Sequence, residues 1–263
     1  HEYEKSSAQD IIQSLLKKEC RSIYWAGGEP FMSHVHWSVV EAMYKLSKLP
    51  DFKDYIKKIR VHYNTNLSKS MWKNQRIVDL LEFYQPSIQA SLDGTHETFE
   101  YCRDGGNWAE TEKNWKEFYS VLNKNKQMGV ASVLTAPVIF DIDRWFDFFE
   151  PYDPALYNHK QFQAVSSYPN HVSNFLDIRL FPKSICEDAV YHAIERFEKC
   201  NLRHKEKSIQ ILKSLISERE EYRDIFDNRQ THKHVKYLTE YRNKFLTTKR
   251  PFLDVLKITN KKA

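Results

Sequence analysis

Three short stretches carry residue types suited to holding a ligand. In Trp25-Ala26-Gly27-Gly28-Glu29-Pro30, two consecutive glycines bare the backbone, so its N–H and C=O groups can meet a bound molecule. Glu29 adds a carboxylate to the same loop and Pro30 stiffens its exit, a set suited to a cationic amino group; a plain strand-to-helix turn would use the same residues. Tyr63-Asn64-Thr65-Asn66-Leu67 offers small polar side chains, which are also ordinary turn and capping residues. Ser91-Leu92-Asp93-Gly94 follows, with Arg103 twelve residues beyond Ser91. A hydroxyl can bind a ribose diol, and a guanidinium can pair with a carboxylate through two N–H groups. An internal ion pair, with Asp93 or Glu100, is the other use of that arginine.

The elements that must position these loops alternate in type. Ile11, Ile12, Leu15 and Leu16 make one apolar stripe on a helix over 7–19, and Ser22 to Ala26 is a β-prone run ending at the double glycine. Ser33 caps a helix carrying Val35, Val39, Met43 and Leu46 at helical spacing. Lys58 to Tyr63 reads as a strand, Ser68 to Phe83 as a third helix, and Ser87 to Leu92 as a strand closed by Asp93-Gly94. A longer helix opens at Trp108 with Trp115, Phe118 and Leu122 on one face and stops at Gly129. Val130 to Val138 is a strand, Ile142 to Phe149 a short helix, and Tyr157 to Val165 a last strand. From Lys183 to Leu246 the pattern is helical only. Strand–helix units of this length favour an α/β fold with parallel pairing, a barrel or part-barrel rather than a doubly wound sheet. All three loops then fall at the C-terminal ends of strands, where barrel enzymes keep their sites.

In that order, Gly27-Gly28-Glu29-Pro30, the Thr65-Asn66 turn and Ser91-Leu92-Asp93-Gly94 with its arginine resemble the radical S-adenosylmethionine (SAM) superfamily. The closer likeness is to its branch with SPASM- or twitch-type extensions, carried by Tyr24 to Met32, His36-Trp37, Tyr63 to Ser68 and Ala90 to Gly94. It covers residues 10 to 140 and thins through the helical tail, where Tyr241-Arg242-Asn243 is a loose match. The resemblance implies a partial (β/α) barrel over residues 1–182 and a helical extension over 183–263. It implies that Gly27, Gly28 and Glu29 hold the methionyl amino group of S-adenosyl-L-methionine, with Pro30 shaping the loop. Ser91 would meet the ribose or carboxylate end, Arg103 the methionyl carboxylate, and Asn64 and Asn66 would line the mouth. It also implies a [4Fe–4S] cluster on a CxxxCxxC loop, one electron of which cleaves the cofactor to a 5′-deoxyadenosyl radical acting on a peptide or small-molecule substrate; thiolate ligands suit such a cluster. That loop is absent here: Cys20 is the one cysteine before Gly27. The expectation is a chain truncated at its N-terminus, its first residue being His1, with the cluster ligands upstream and this part alone inactive.

Composition bounds the rest. Of 263 residues, 41% are hydrophobic and 29% charged, the balance of a folded chain rather than a disordered one. Cys20, Cys102, Cys186 and Cys200 are too far apart in sequence for a zinc ribbon or a disulfide scaffold. His34-x-His36 and His232-x-His234 look like metal pairs, but residues two apart on a helix do not face each other, so no metal ligand is assigned. With no membrane-length apolar run and no signal peptide, a cytoplasmic protein is expected. Residues 201–263 hold 16 Lys and Arg against 8 Asp and Glu. That excess opens a second reading, a non-catalytic barrel whose basic tail binds a polyanion such as nucleic acid, although nucleic acid is not the expected partner.

Overall fold

The computed structural model describes residues 2–122, 128–152, 162–164, 177–180, 183–200 and 205–217. They fall into two compact units, His1–Ser91 with Ala109–Val130, and Leu92–Trp108 with Ala131–Ala263.

The first unit is built on parallel strands. Strand β1 (Ser22–Trp25) pairs with β2 (Arg60–Thr65), and β2 with β5 (Ser87–Ser91), all in parallel. The start of β6 (Met128–Leu134) neighbours β5. Helix α1 (Glu2–Leu16) lies against α2 (His34–Ser47), and α2 against α3 (Pro50–Lys58). Ser33 caps α2 as expected, its hydroxyl accepting from the His36 amide at 3.4 Å. Val39, Val40, Met43 and Leu46 are buried, which is the stripe a helical period demands. In α6 (Trp108–Leu122), Trp115, Phe118 and Leu122 are buried on one face, and the Phe31 ring stacks on Phe118 with centroids 5.7 Å apart.

The faces of the sheet are unequal. Ile23, Val61, Tyr63, Thr65, Ile88 and Ala90 point to the packed side and are buried. The alternate residues are polar and open to solvent or half-buried: Tyr24 and His62 are exposed, Asn64, Gln89 and Ser91 half-buried. Parallel sheets are ordinarily covered on both faces; here one side chain in two faces outward, as in a sheet wetted on one face.

In the second unit the end of β6 pairs in parallel with β7 (Phe162–Ala164). Helices α5 (His96–Cys102), α7 (Ala136–Phe140), α8 (Ile142–Phe149), α9 (Lys183–Lys199) and α10 (Lys205–Ser217) complete it. Trp145, Phe146 and Phe149 of α8 are buried, and Phe197 of α9 meets Phe146 edge-on at 5.0 Å.

Several elements differ from expectation. The helix read over Ser68–Phe83 is a two-stranded hairpin, β3 (Met71–Trp72) with β4 (Gln75–Arg76), then a short α4 (Ile77–Leu81). Lys73 and Asn74 both take left-handed backbone (φ 46° and 62°), the conformation of a two-residue I′ turn, which a helix cannot accommodate. Gly129 lies inside β6 rather than at a helix end, and the strand read to Val138 stops at Leu134 because Thr135 caps α7 and Pro137 sits in its first turn. Helix α3, whose Pro50 opens it, takes Lys58, so β2 begins at Arg60. Of the Tyr157–Val165 strand, Phe162–Ala164 is described. The helical reading from Lys183 meets α9 and α10; the part beyond Ser217, with Tyr241, Arg242, His232 and His234, lies outside the described residues.

Candidate functional site

The first two loops and Ser91 of the third lie in the first unit at the C-terminal ends of β1, β2 and β5, strands that are neighbours in the sheet. Gly27 and Gly28 follow β1 with φ of +86° and +54°, angles that side chains other than glycine adopt at a cost. A Cβ built on either would touch nothing within 4 Å. The glycines therefore serve the backbone turn and leave bare, exposed peptide groups rather than fill a tight contact.

Glu29 fixes that loop in place. Its carboxylate accepts the Thr65 hydroxyl on both oxygens (2.7 and 2.9 Å), the Asn66 amide at 2.9 Å and the Phe31 amide at 3.2 Å. Hydrogen bonds to an ionised acceptor contribute about 1.5–3 kcal/mol each. Glu29 thus ties the end of β1 to the end of β2, and the carbonyls of Gly27 and Gly28 are the groups left to meet a cation. Pro30 is buried at the start of a single 3₁₀ turn, Pro30–Met32.

On the open face, Ser91 donates to Asn64 Oδ1 at 2.6 Å. In that arrangement the Asn64 Nδ2–H groups are left as donors beside the lone pairs of Ser91 Oγ. A vicinal diol, which both donates and accepts, matches such a pair. Asn66 spends its side-chain oxygen on the Ser68 amide at 2.8 Å, which shapes the turn.

In the second unit, Arg103 Nη2 pairs with Asp93 Oδ2 at 2.8 Å, and Asp93 Oδ1 accepts the Val133 amide at 2.8 Å. The guanidinium is thus engaged in the internal ion pair that sequence left open.

Sequence reasoning missed a buried polar chain behind the sheet. His36 Nε2 lies 2.8 Å from the Tyr63 hydroxyl, which lies 2.5 Å from that of Tyr84. Burial lowers the His36 pKa to about 3, so its ring is neutral, and raises both tyrosines above their ordinary range. Tyr63 read as a strand residue and His36-Trp37 as part of the resemblance, neither of which signals a hydrogen-bonded chain. His34 turns elsewhere, its ring edge-on to Trp72 at 6.0 Å, so the two histidines share no ligand set.

S-adenosylmethionine and the cluster fare differently against these groups. Bare carbonyls, a donor–acceptor pair and open space suit the cofactor. For the cluster, among the described residues no three His, Cys, Asp or Glu side chains group to hold a metal ion; the described residues do not supply its ligands. Among the described residues no helix is long and apolar enough to cross a membrane. No family model, curated protein or solved structure matches the chain.

Proposed function

We propose that this chain carries the S-adenosylmethionine-binding part of a radical enzyme whose barrel includes β1, β2 and β5, its first strand and cluster loop lying upstream. The observation that carries the reading is the meeting of Gly27-Gly28, Asn64 with Ser91, and the Thr65-Asn66 turn at the C-terminal ends of three neighbouring strands. The Gly27 and Gly28 carbonyls hold the cofactor's ammonium; Glu29 positions them through Thr65 and Asn66; Ser91 and Asn64 hold the ribose hydroxyls. With the iron–sulfur cluster that the resemblance implies, the cofactor supplies radical chemistry, and the chain's own residues bind and orient it. Arg103 is left to its pair with Asp93. The substrate, peptide or small molecule, meets the open polar face beside the cofactor.

Amide hydrogen exchange with and without S-adenosylmethionine tests the reading. Slowed exchange confined to residues 27–29, 64–67 and 91–94 is expected. Protection in other segments, or in none, counts against it.

A further inference from the structure

At the opposite ends of the same strands the first unit has a second concavity. A cavity of about 470 Å³ opens between the end of α3, the starts of β2 and β5, and the turn before β5. Lys57, Lys58, Arg60, His62 and Ser87 line it together with the half-buried Phe83 ring, and its lining holds no carboxylate. Among the described residues the side chains of Lys57, Lys58, Arg60, His62 and Ser87 make no hydrogen bond and no ion pair. Arg76, by contrast, faces both Asp79 and Glu117, and Lys73 faces Glu41.

Lys57 and Lys58 occupy the last turn of α3, where cations meet the negative end of the helix dipole. That accounts for two of the charges. Arg60 stands on β2, on the open face of the sheet, two residues from His62 on the same face. Three like charges around one concavity repel one another, and an entering anion relieves that repulsion. The guanidinium fork, two ammonium groups, a hydroxyl and a ring N–H supply donors on several sides of one small volume.

We infer that this cavity binds a compact polyanion bearing phosphate or carboxylate groups, at a site separate from the glycine loop. It does not depend on the S-adenosylmethionine reading.

Isothermal titration of the 263-residue chain with tripolyphosphate, and separately with citrate, tests the inference and tells the two anion chemistries apart. Binding by one or both is expected, weakening at higher salt. A Lys57→Gln/Lys58→Gln/Arg60→Gln variant should bind at least about ten-fold more weakly, while the control Lys207→Glu/Lys213→Glu on α10 keeps wild-type affinity. The single Arg60→Gln variant, read by the rise in melting temperature on adding the anion, decides the matter if the triple variant does not fold. No binding of either anion, or a loss that the control shares, overturns the inference.

Discussion

Glu29, His36 and Arg103 are each engaged by partners within the protein. Glu29 is a carboxylate in a ligand loop, yet both its oxygens are taken by Thr65, Asn66 and Phe31. A Glu29→Ala variant leaves the buried Thr65 hydroxyl and the Asn66 amide without their acceptor and should lose about 2–4 kcal/mol of stability in urea unfolding. A loss under half of that would mean the brace is weak. Arg103→Ala should lower stability by about 1–2 kcal/mol, given a pair that is partly exposed. It should leave S-adenosylmethionine affinity unchanged; a stable variant with weakened cofactor binding would return the guanidinium to the site. His36 sets a pH dependence. Unfolded, it takes a proton near pH 6.5, while folded it resists protonation down to about pH 3. The unfolded state therefore binds the extra proton across that window, and stability falls as pH drops through it, by up to about 1.4 kcal/mol per pH unit. The stability difference between wild type and His36→Gln should shrink by about 2 kcal/mol from pH 7 to pH 5. A difference that stays constant would place the ring in a wetter setting.

Elements were legible where one strong signal governed them. Ser33 before a run of apolar residues at helical spacing and the turn after Ser91 marked the start of α2 and the end of β5 to within a residue, and Trp108 marked the start of α6, whose end at Leu122 falls well before Gly129. Ile142 to Phe149 is helical over the range read. The reading failed where backbone conformation outweighed side-chain pattern. Leu80 and Leu81 suggested a helix reaching back to Ser68, but Lys73 and Asn74 turn left-handed without glycine. The usual Asn-Gly mark of such a hairpin is missing, so the turn was silent in the sequence. The same fact gives a prediction: replacing Lys73-Asn74 with Asn-Gly should raise stability by about 0.5–1 kcal/mol, since two non-glycine residues in that region carry a steric cost. An unchanged or lowered urea midpoint would show that the turn is not what limits this hairpin. The candidate loops fall at strand ends because the runs Ser22 to Ala26, Lys58 to Tyr63 and Ser87 to Leu92 were legible as strands, although β2 runs on through Asn64 and Thr65. Which of their polar groups face one another was not, since Thr65 meeting Glu29 is a contact across 36 residues.

At the scale of the whole molecule, the parallel sheet of the first unit has one packed and one polar face. Tyr24, His62, Asn64, Gln89 and Ser91 share the open side, and a surface of that kind on parallel strands calls for something to cover it. In the reading proposed here the cofactor does so at the C-terminal ends of the strands. Parallel pairing followed from the alternation of strand and helix; closure of a barrel and the cluster's ligands are features the resemblance implies and the described residues do not contain.

The most direct test is the dissociation constant of S-adenosylmethionine for this chain and for its Ser91→Ala/Asn64→Ala variant, measured by isothermal titration. The account predicts one-to-one binding by the wild type and affinity at least about ten-fold lower in the variant, the cost of losing a ribose-holding pair of hydrogen bonds. One-to-one binding of equal strength in both, or no binding by the wild type, would contradict it.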